Sequence, residues 1–204
     1  GGPGELYKGQ LMSASGEREV LRVDFTNPPL HPLRALKASA PGAETTVYLT
    51  AIPGEDLARI YDRWGARLLE QNVRVFLQAR SNVNKGIKRT IENEPELFFS
   101  FNNGLTATAE SVATQIGPNG LEIASLENLQ IVNGGQTTAS LYAAYRAKRD
   151  LSKIYVQMKL SIVDAKRAAS LVPRLSSYAH IHHLLPTPPL FPSHPFPTLL
   201  PMFS

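Results

Sequence analysis

An α+β or α/β fold is expected, a mixed sheet with a hairpin at about 105–132 and flanking helices. Three stretches predict it. Val156, Met158, Leu160 and Ile162 alternate with Gln157, Lys159 and Ser161, the period-two pattern of a half-buried strand. Asn119-Gly120 is a tight-turn pair that lets the chain double back between Leu105 and Val132. After the Pro53-Gly54 break, Leu57, Ile60, Tyr61, Trp64, Leu68 and Leu69 recur at helical spacing.

Taken in order, residues 1–46 read as the poorly ordered edge of a missing upstream region, because Pro28-Pro29, Pro32 and Pro41-Gly42 interrupt any long element. Val47 to Ile52 is β-branched and aromatic, hence a strand, and the helix from Leu57 follows it. Val73 to Leu77 reads as another strand. A second helix spans about Asn84 to Asn93, with Asn84 as N-cap and Pro95 just past its end. Pro95 to Phe99 suits a short helical turn because Pro-Glu favours a first turn, although Phe98 to Phe101 also fits a strand. Leu105 to Val112 is a strand. Leu121 to Val132 returns as one bent strand or two short ones. Thr137 to Lys148 is a helix with Ala139, Leu141, Tyr142 and Tyr145 on its apolar side, and a last helix runs near Ala165 to Val172. The α/β core is placed at 47–174. From Leu175 to Ser204 there is no charged residue and proline is dense, so 175–204 is expected not to be compact.

Composition bounds the class. Hydrophobic residues make up 43% and charged residues 19%, an ordinary globular balance. With no cysteine there is neither a disulfide framework nor a thiolate zinc site, which fits a cytoplasmic setting. No apolar run reaches the roughly 18 residues of a membrane helix, and no secretory signal is visible. A start at Gly1 rather than Met suggests a fragment of a longer protein. The net charge of +4 permits nucleic-acid contact but is short of a strongly basic surface.

Two blocks carry the chemistry. In Val132-Asn133-Gly134-Gly135-Gln136-Thr137-Thr138 a strand ends, two glycines turn the chain and a helix begins. The first N–H groups of such a helix lack intrahelical partners and carry the positive end of its dipole, a cradle for phosphate or carboxylate. It is neither a Walker loop nor a dinucleotide fingerprint, since the Gly-Lys-Ser/Thr and the glycine spacing are absent. In Phe98-Phe99-Ser100-Phe101-Asn102-Asn103-Gly104 the aromatics would pack while the amides face a cleft. Lys85, Lys88 and Arg89 share one helix face and could hold phosphates. Each block also has a plain reading: a strand-to-helix turn, a tight turn, a solvated helix face. Gln157-x-Lys159 faintly resembles a nuclease strand with Gln where an acid usually stands, but strand alternation explains it. His180, His182 and His183 lack an acidic partner for a metal site, and no Ser/His/Asp arrangement is present.

Val73-Arg74-x-Phe76-Leu77-Gln78, Val83-Asn84-Lys85-Gly86-Ile87-Lys88-x-Thr90-Ile91, Pro95-x-x-Phe98-Phe99-x-Phe101-Asn102-Asn103-Gly104-Leu105-Thr106 and Gln130 to Thr138 stand in an order that resembles the abortive-infection phage-resistance (AIPR) family over about 47–204. The resemblance implies an anti-phage defence protein, usually longer, with an N-terminal region that sometimes resembles a nuclease. Three amide positions of the family pattern are His180, His182 and His183 here, which suggests a degraded or erroneous gene end. More weakly, the strand, Asn133-Gly134-x-Gln136-Thr137 and helix are similar to the nucleotide-binding turn of ParB-like and sulfiredoxin-like modules, with Thr137 where their basic residue stands.

The expectation is therefore a nucleotide- or nucleic-acid-binding sensor module that uses Asn102, Asn103, Gly104, Asn133, Gly134, Gly135, Gln136, Thr137, Lys85 and Arg89. The alternatives are part of a metal-dependent nuclease whose catalytic domain is missing, or a structural and oligomerisation domain. Beyond the upstream domain of a longer protein, the residues name no cofactor and no catalytic group, and leave the oligomeric state open.

Overall fold

The computed structural model describes residues 19–43, 45–79 and 84–181. Eight strands form one mixed sheet. Its middle is β3 (Thr46–Pro53), antiparallel to β8 (Tyr155–Ile162), with β4 (Leu105–Ala109) parallel to β8 on the other side and β7 (Gln130–Asn133) antiparallel to β4. The second wing comprises β1 (Arg22–Asp24) and β2 (Leu33–Lys37), both paired to β6 (Gly120–Glu127), which in turn forms a hairpin with β5 (Ser111–Gly117). That hairpin turns through Pro118-Asn119, with Gly120 paired to Gly117, within the expected 105–132. The expected strand Leu105 to Val112 is divided between β4 and β5, and the return is two strands, β6 and β7.

One face of β3, β8 and β4 is the core. Cross-strand neighbours share a face, so Tyr48, Leu160, Ala107 and Ile131 form one buried row. Helix α1 (Gly54–Trp64) covers this face together with α5 (Gly135–Arg146). Gly54 opens α1 because it sits directly on Ile154, whose carbonyl accepts the Gly54 N–H at 2.8 Å. Trp64 ends α1, and a 3-10 turn at Gly65–Leu68 buries Leu68. Helix α3 (Lys85–Asn93) begins as expected at Asn84, whose side chain accepts the N–H groups of Gly86 and Ile87. A 3-10 turn at Pro95–Leu97 leads into α4 (Phe98–Phe101), so the helical reading of this segment holds.

Three expectations are corrected. Described residues 19–43 are not a poorly ordered edge: Leu21, Val23 and Phe25 alternate inward and are buried against β6, as is Leu33. Their partners lie far along the chain, with Leu21 bonded to Asn128 at a separation of 107 positions, so no local pattern announces them. Val73 to Leu77 is not a strand but part of α2 (Gln71–Ala79). A strand would put Val73, Val75 and Leu77 on one face, whereas Val73 and Leu77 are buried at i and i+4 and Val75 is 59% exposed. The last helix, α6 (Ala165–Ile181), does not stop near Val172. It runs through Pro173, which forfeits one backbone bond. Ser176, within the stretch expected not to be compact, is 1% exposed. Its hydroxyl donates to Glu70 at 3.2 Å and to the Val132 carbonyl at 3.4 Å, so α6 covers the outer edge of β7. Residues 182–204, including His182 and His183, lie outside the described residues.

Asp56, in the first turn of α1, is buried with one carboxylate oxygen lacking a partner among the described residues. Burial pushes its carboxyl above its ordinary value, against the pull of His31, which lies close by and donates its backbone N–H. A folded carboxyl with a raised pKa holds its proton more tightly than the unfolded one. Its contribution to stability therefore improves as pH falls through the folded pKa and levels off below the unfolded value. Thermal melts of Asp56→Asn should favour the variant most at pH 7, relative to wild type, and lose that advantage toward acid; a pH-independent difference would refute the burial effect. Urea unfolding tests the helical reading of α2: Val73→Ala should cost roughly 2 kcal/mol, while Val75→Ala stays within about 0.5 kcal/mol of wild type. Equal losses would favour a strand.

Candidate functional site

The two amide-rich turns meet. Gly104 adopts a φ of +76°, and a Cβ there would lie 2.5 Å from the Gln157 carbonyl oxygen of β8. Gly134 adopts +95°, and its Cβ would lie 2.9 Å from the Gly104 carbonyl oxygen and against Leu105. Both positions therefore require glycine twice over, for the left-handed backbone and for the close approach. Across the same junction Asn133 pairs in register with Thr106. A bulge between Thr106 and Ala107 leaves Val132 without a ladder partner and turns its carbonyl toward α6.

Helix α5 starts at Gly135, two residues earlier than expected, with Gly134 as an N-cap that has no side-chain bond. Gly135 is tight for a separate reason: a Cβ would lie 2.5 Å from Val73 Cγ1 of α2. The α5 N-terminus thus wedges between α2 and the Asn102-Gly104 turn. Asn102 Nδ2 donates to Thr137 Oγ1 at 3.0 Å, and Asn102 Oδ1 accepts the Gly104 N–H at 2.8 Å. Asn133 Oδ1 accepts the neighbouring Gly134 N–H at 2.9 Å. Gln136 Oε1 accepts from Asn84 Nδ2 at 3.2 Å, and the Asn84 N–H reaches Ser140 Oγ at 3.4 Å. The start of α3 is thereby held beside the start of α5, which places Lys85, at the first position of α3, next to the junction.

The expected residues divide by what their polar atoms already do. Asn102 and Thr137 bind each other, and Thr137 is buried. Asn103 is exposed and makes no hydrogen bond among the described residues. Gln136 is half-buried and uses its carbonyl oxygen on Asn84. Lys85 and Arg89 are exposed on α3 and have no carboxylate partner among the described residues, whereas Lys88 lies 3.9 Å from Glu92. The free groups around the junction are thus the Asn103 amide, the Lys85 ammonium and helix-terminal N–H groups, with Arg89 a turn further along α3.

Sequence reasoning left out three contributors. Asn84 was read only as an N-cap. Gln157 lies under the Gly104 turn, and Lys159 pairs in register with Thr106, which pairs with Asn133. Both are exposed on β8. Their alternation marked a solvent face but nothing local tied that face to the turns. Among the described residues no three His, Asp or Glu side chains are grouped so as to hold a metal ion. No described helix is long and apolar enough to cross a membrane.

Fold and site together define a mixed α+β domain built around a glycine-dependent contact between two asparagine-bearing turns. The model of the family described as AIPR protein matches residues 69–180, more than half of the chain, and the chain belongs to that family. The match is narrower than the expected 47–204 and runs from the residue before Glu70 nearly to the end of α6. At the level of the family the role is anti-phage abortive infection. No curated protein and no solved structure matches the chain.

The division of labour among the amides can be measured. Asn102→Ala leaves the Gly104 N–H and the Thr137 hydroxyl without their partner and should cost about 1–3 kcal/mol in urea unfolding. Asn103→Ala should leave stability within about 0.5 kcal/mol of wild type. A comparable loss in both would mean that Asn103 is also a structural amide.

Proposed function

We propose that this domain is a nucleotide- or nucleic-acid-binding sensor module of an anti-phage defence protein. One observation carries the reading: the Asn102-Gly104 turn and the Asn133-Gly135 turn touch at the N-terminus of α5, with Asn103 and Gln136 on those turns, Lys85 at the adjoining start of α3 and Arg89 one turn further along that helix. An anion at that junction would gain the α5 dipole and the unpaired N–H groups of its first turn. Lys85 and Arg89 would add screened Coulomb attraction from the rim, and Asn103 would supply a neutral amide for a base edge or a phosphate oxygen. The net charge of +4 agrees with such a partner.

The nuclease alternative has less support. β3, β8 and β4 contain no carboxylate to hold a divalent ion, and Gln157 occupies the position where a nuclease strand usually carries an acid. The structural alternative draws on Asn102 and Thr137, whose groups serve the fold, but leaves Asn103, Lys85 and Arg89 without a role.

Fluorescence anisotropy with labelled nucleotides and short DNA tests the reading. Asn103→Ala and Gln136→Ala should each weaken binding by about tenfold, the loss expected for a hydrogen bond to a charged group. Lys85→Ala should lower affinity and reduce the slope of log affinity against log salt by about one. Equal binding by the wild type and all three variants would eliminate the site.

A further inference from the structure

The sheet has a second face, exposed at Leu36, Leu49, Gln157 and Lys159 and closed toward β4, where Thr108 and Ser161 are buried. Cross-strand registers place Leu36, Leu49, Lys159, Thr106 and Asn133 in one row from β2 to β7. Leu36 is 64% and Leu49 38% exposed, and Lys159 is exposed at the centre of the row. Along β8, Tyr155, Gln157 and Lys159 occupy every second position and point the same way, an aromatic ring, an amide and a cation spaced by roughly 7 Å. Tyr155 is 48% exposed. Helix α4 packs beside β8 and leaves Phe99 and Phe101 in solvent.

Two properties narrow the occupant. Lys159 is the one charged side chain on β3, β8 and β4, so the centre of the face repels cations and accepts anions. Arg34, on the same face, lies at its β2 side in register with Glu122, two strands away from Lys159. Exposed aromatic rings beside a lone cation suit a partner that offers flat apolar surfaces joined by phosphates. A duplex hides its base faces, whereas a single strand presents them.

We infer that the exposed face of β3 and β8 is a platform for single-stranded nucleic acid, with bases stacking on Tyr155 and the α4 phenylalanines and a phosphate on Lys159. The strand would then reach Asn133 and the turn junction along the row it shares with Lys159. This rests on the sensor reading above and specifies the class of its ligand. Gln157, read earlier as an accident of strand alternation, becomes the hydrogen-bonding group between stack and phosphate.

The test is anisotropy with labelled 12-nucleotide oligo(dT), oligo(U) and a 12-base-pair duplex, using the whole chain. Wild type should bind the single strands in preference to the duplex, and the dT and U arms report whether the sugar matters. Tyr155→Ala and Lys159→Glu, both at exposed positions, should each weaken single-strand binding by about fivefold or more. Phe101→Ala should do the same while thermal melts stay unchanged. If these variants bind like wild type while Gln136→Ala does not, the platform is wrong and the junction stands. If the duplex is preferred, the platform is wrong as well. If no nucleotide or oligonucleotide binds, both readings fall. Self-association abolished by Leu49→Glu, with no oligonucleotide binding, would assign the face to a second copy of the chain instead.

Discussion

The close approach of Gly104 and Gly134 fixes the geometry of everything around the junction. β4 and β7 are antiparallel neighbours, so the start of one lies beside the end of the other. Chain enters β4 from α4 and leaves β7 into α5, and both crossings happen in one small volume. A Cβ at either glycine would meet main-chain oxygen of the other strand or of β8. Backbone cannot yield as a flexible side chain can, so the helix N-terminus, the amide turn and the first half of β8 are placed together by exclusion of side chains rather than by attraction between them. The hydrogen bond from Asn102 to Thr137 then fixes the rotation of α5 about this contact.

The parts of the fold that were legible are those whose signal is local. The N-cap of α3, the alternation of β8 and the Asn119-Gly120 reversal each depend on residues a few positions apart. α2 was misread because Val73-x-Val75-x-Leu77 satisfies strand alternation and β propensity. Its helical state is decided by contacts made by Val73 at Gly135, and by the Glu70 carboxylate, which accepts the Asn72 N–H at the helix start. β1 and β2 were invisible for the same reason in reverse. Three or five residues between prolines carry too little pattern to announce a strand, and what stabilises them is burial against β6 from far along the chain. The last helix was expected only near Ala165 to Val172, yet a helix packed on a strand edge tolerates Pro173 and the loss of one backbone bond when Val172 and Ser176 are buried on either side of it.

The two turns were legible to the same extent. Two Asn-Gly pairs mark two turns, and their convergence was expected from residue type alone. Which amide is structural and which is free could not be read, because that depends on partners more than thirty positions away. Asn102 finds Thr137 and Asn133 folds back on its own neighbour, while Asn103, adjacent to Asn102 and chemically identical, finds none.

A buried carboxylate lies behind the junction. Glu70 is 6% exposed; its backbone N–H donates to Ile131 at 3.0 Å, and its side chain accepts from the Asn72 N–H at 2.8 Å and from the Ser176 hydroxyl. One residue therefore joins the start of α2, the strand that leads into the Asn133-Gly135 turn, and α6. None of these bonds involves a cation, so the carboxylate depends on all its donors for compensation in a low-dielectric setting. Any shift of β7 would strain the Glu70 and Ser176 bonds together. Through Oε2 alone, Glu70 thus ties α2 and α6 together, and through its backbone N–H it ties both to the strand that leads into the Asn133-Gly135 turn, a link that runs through the core rather than around it.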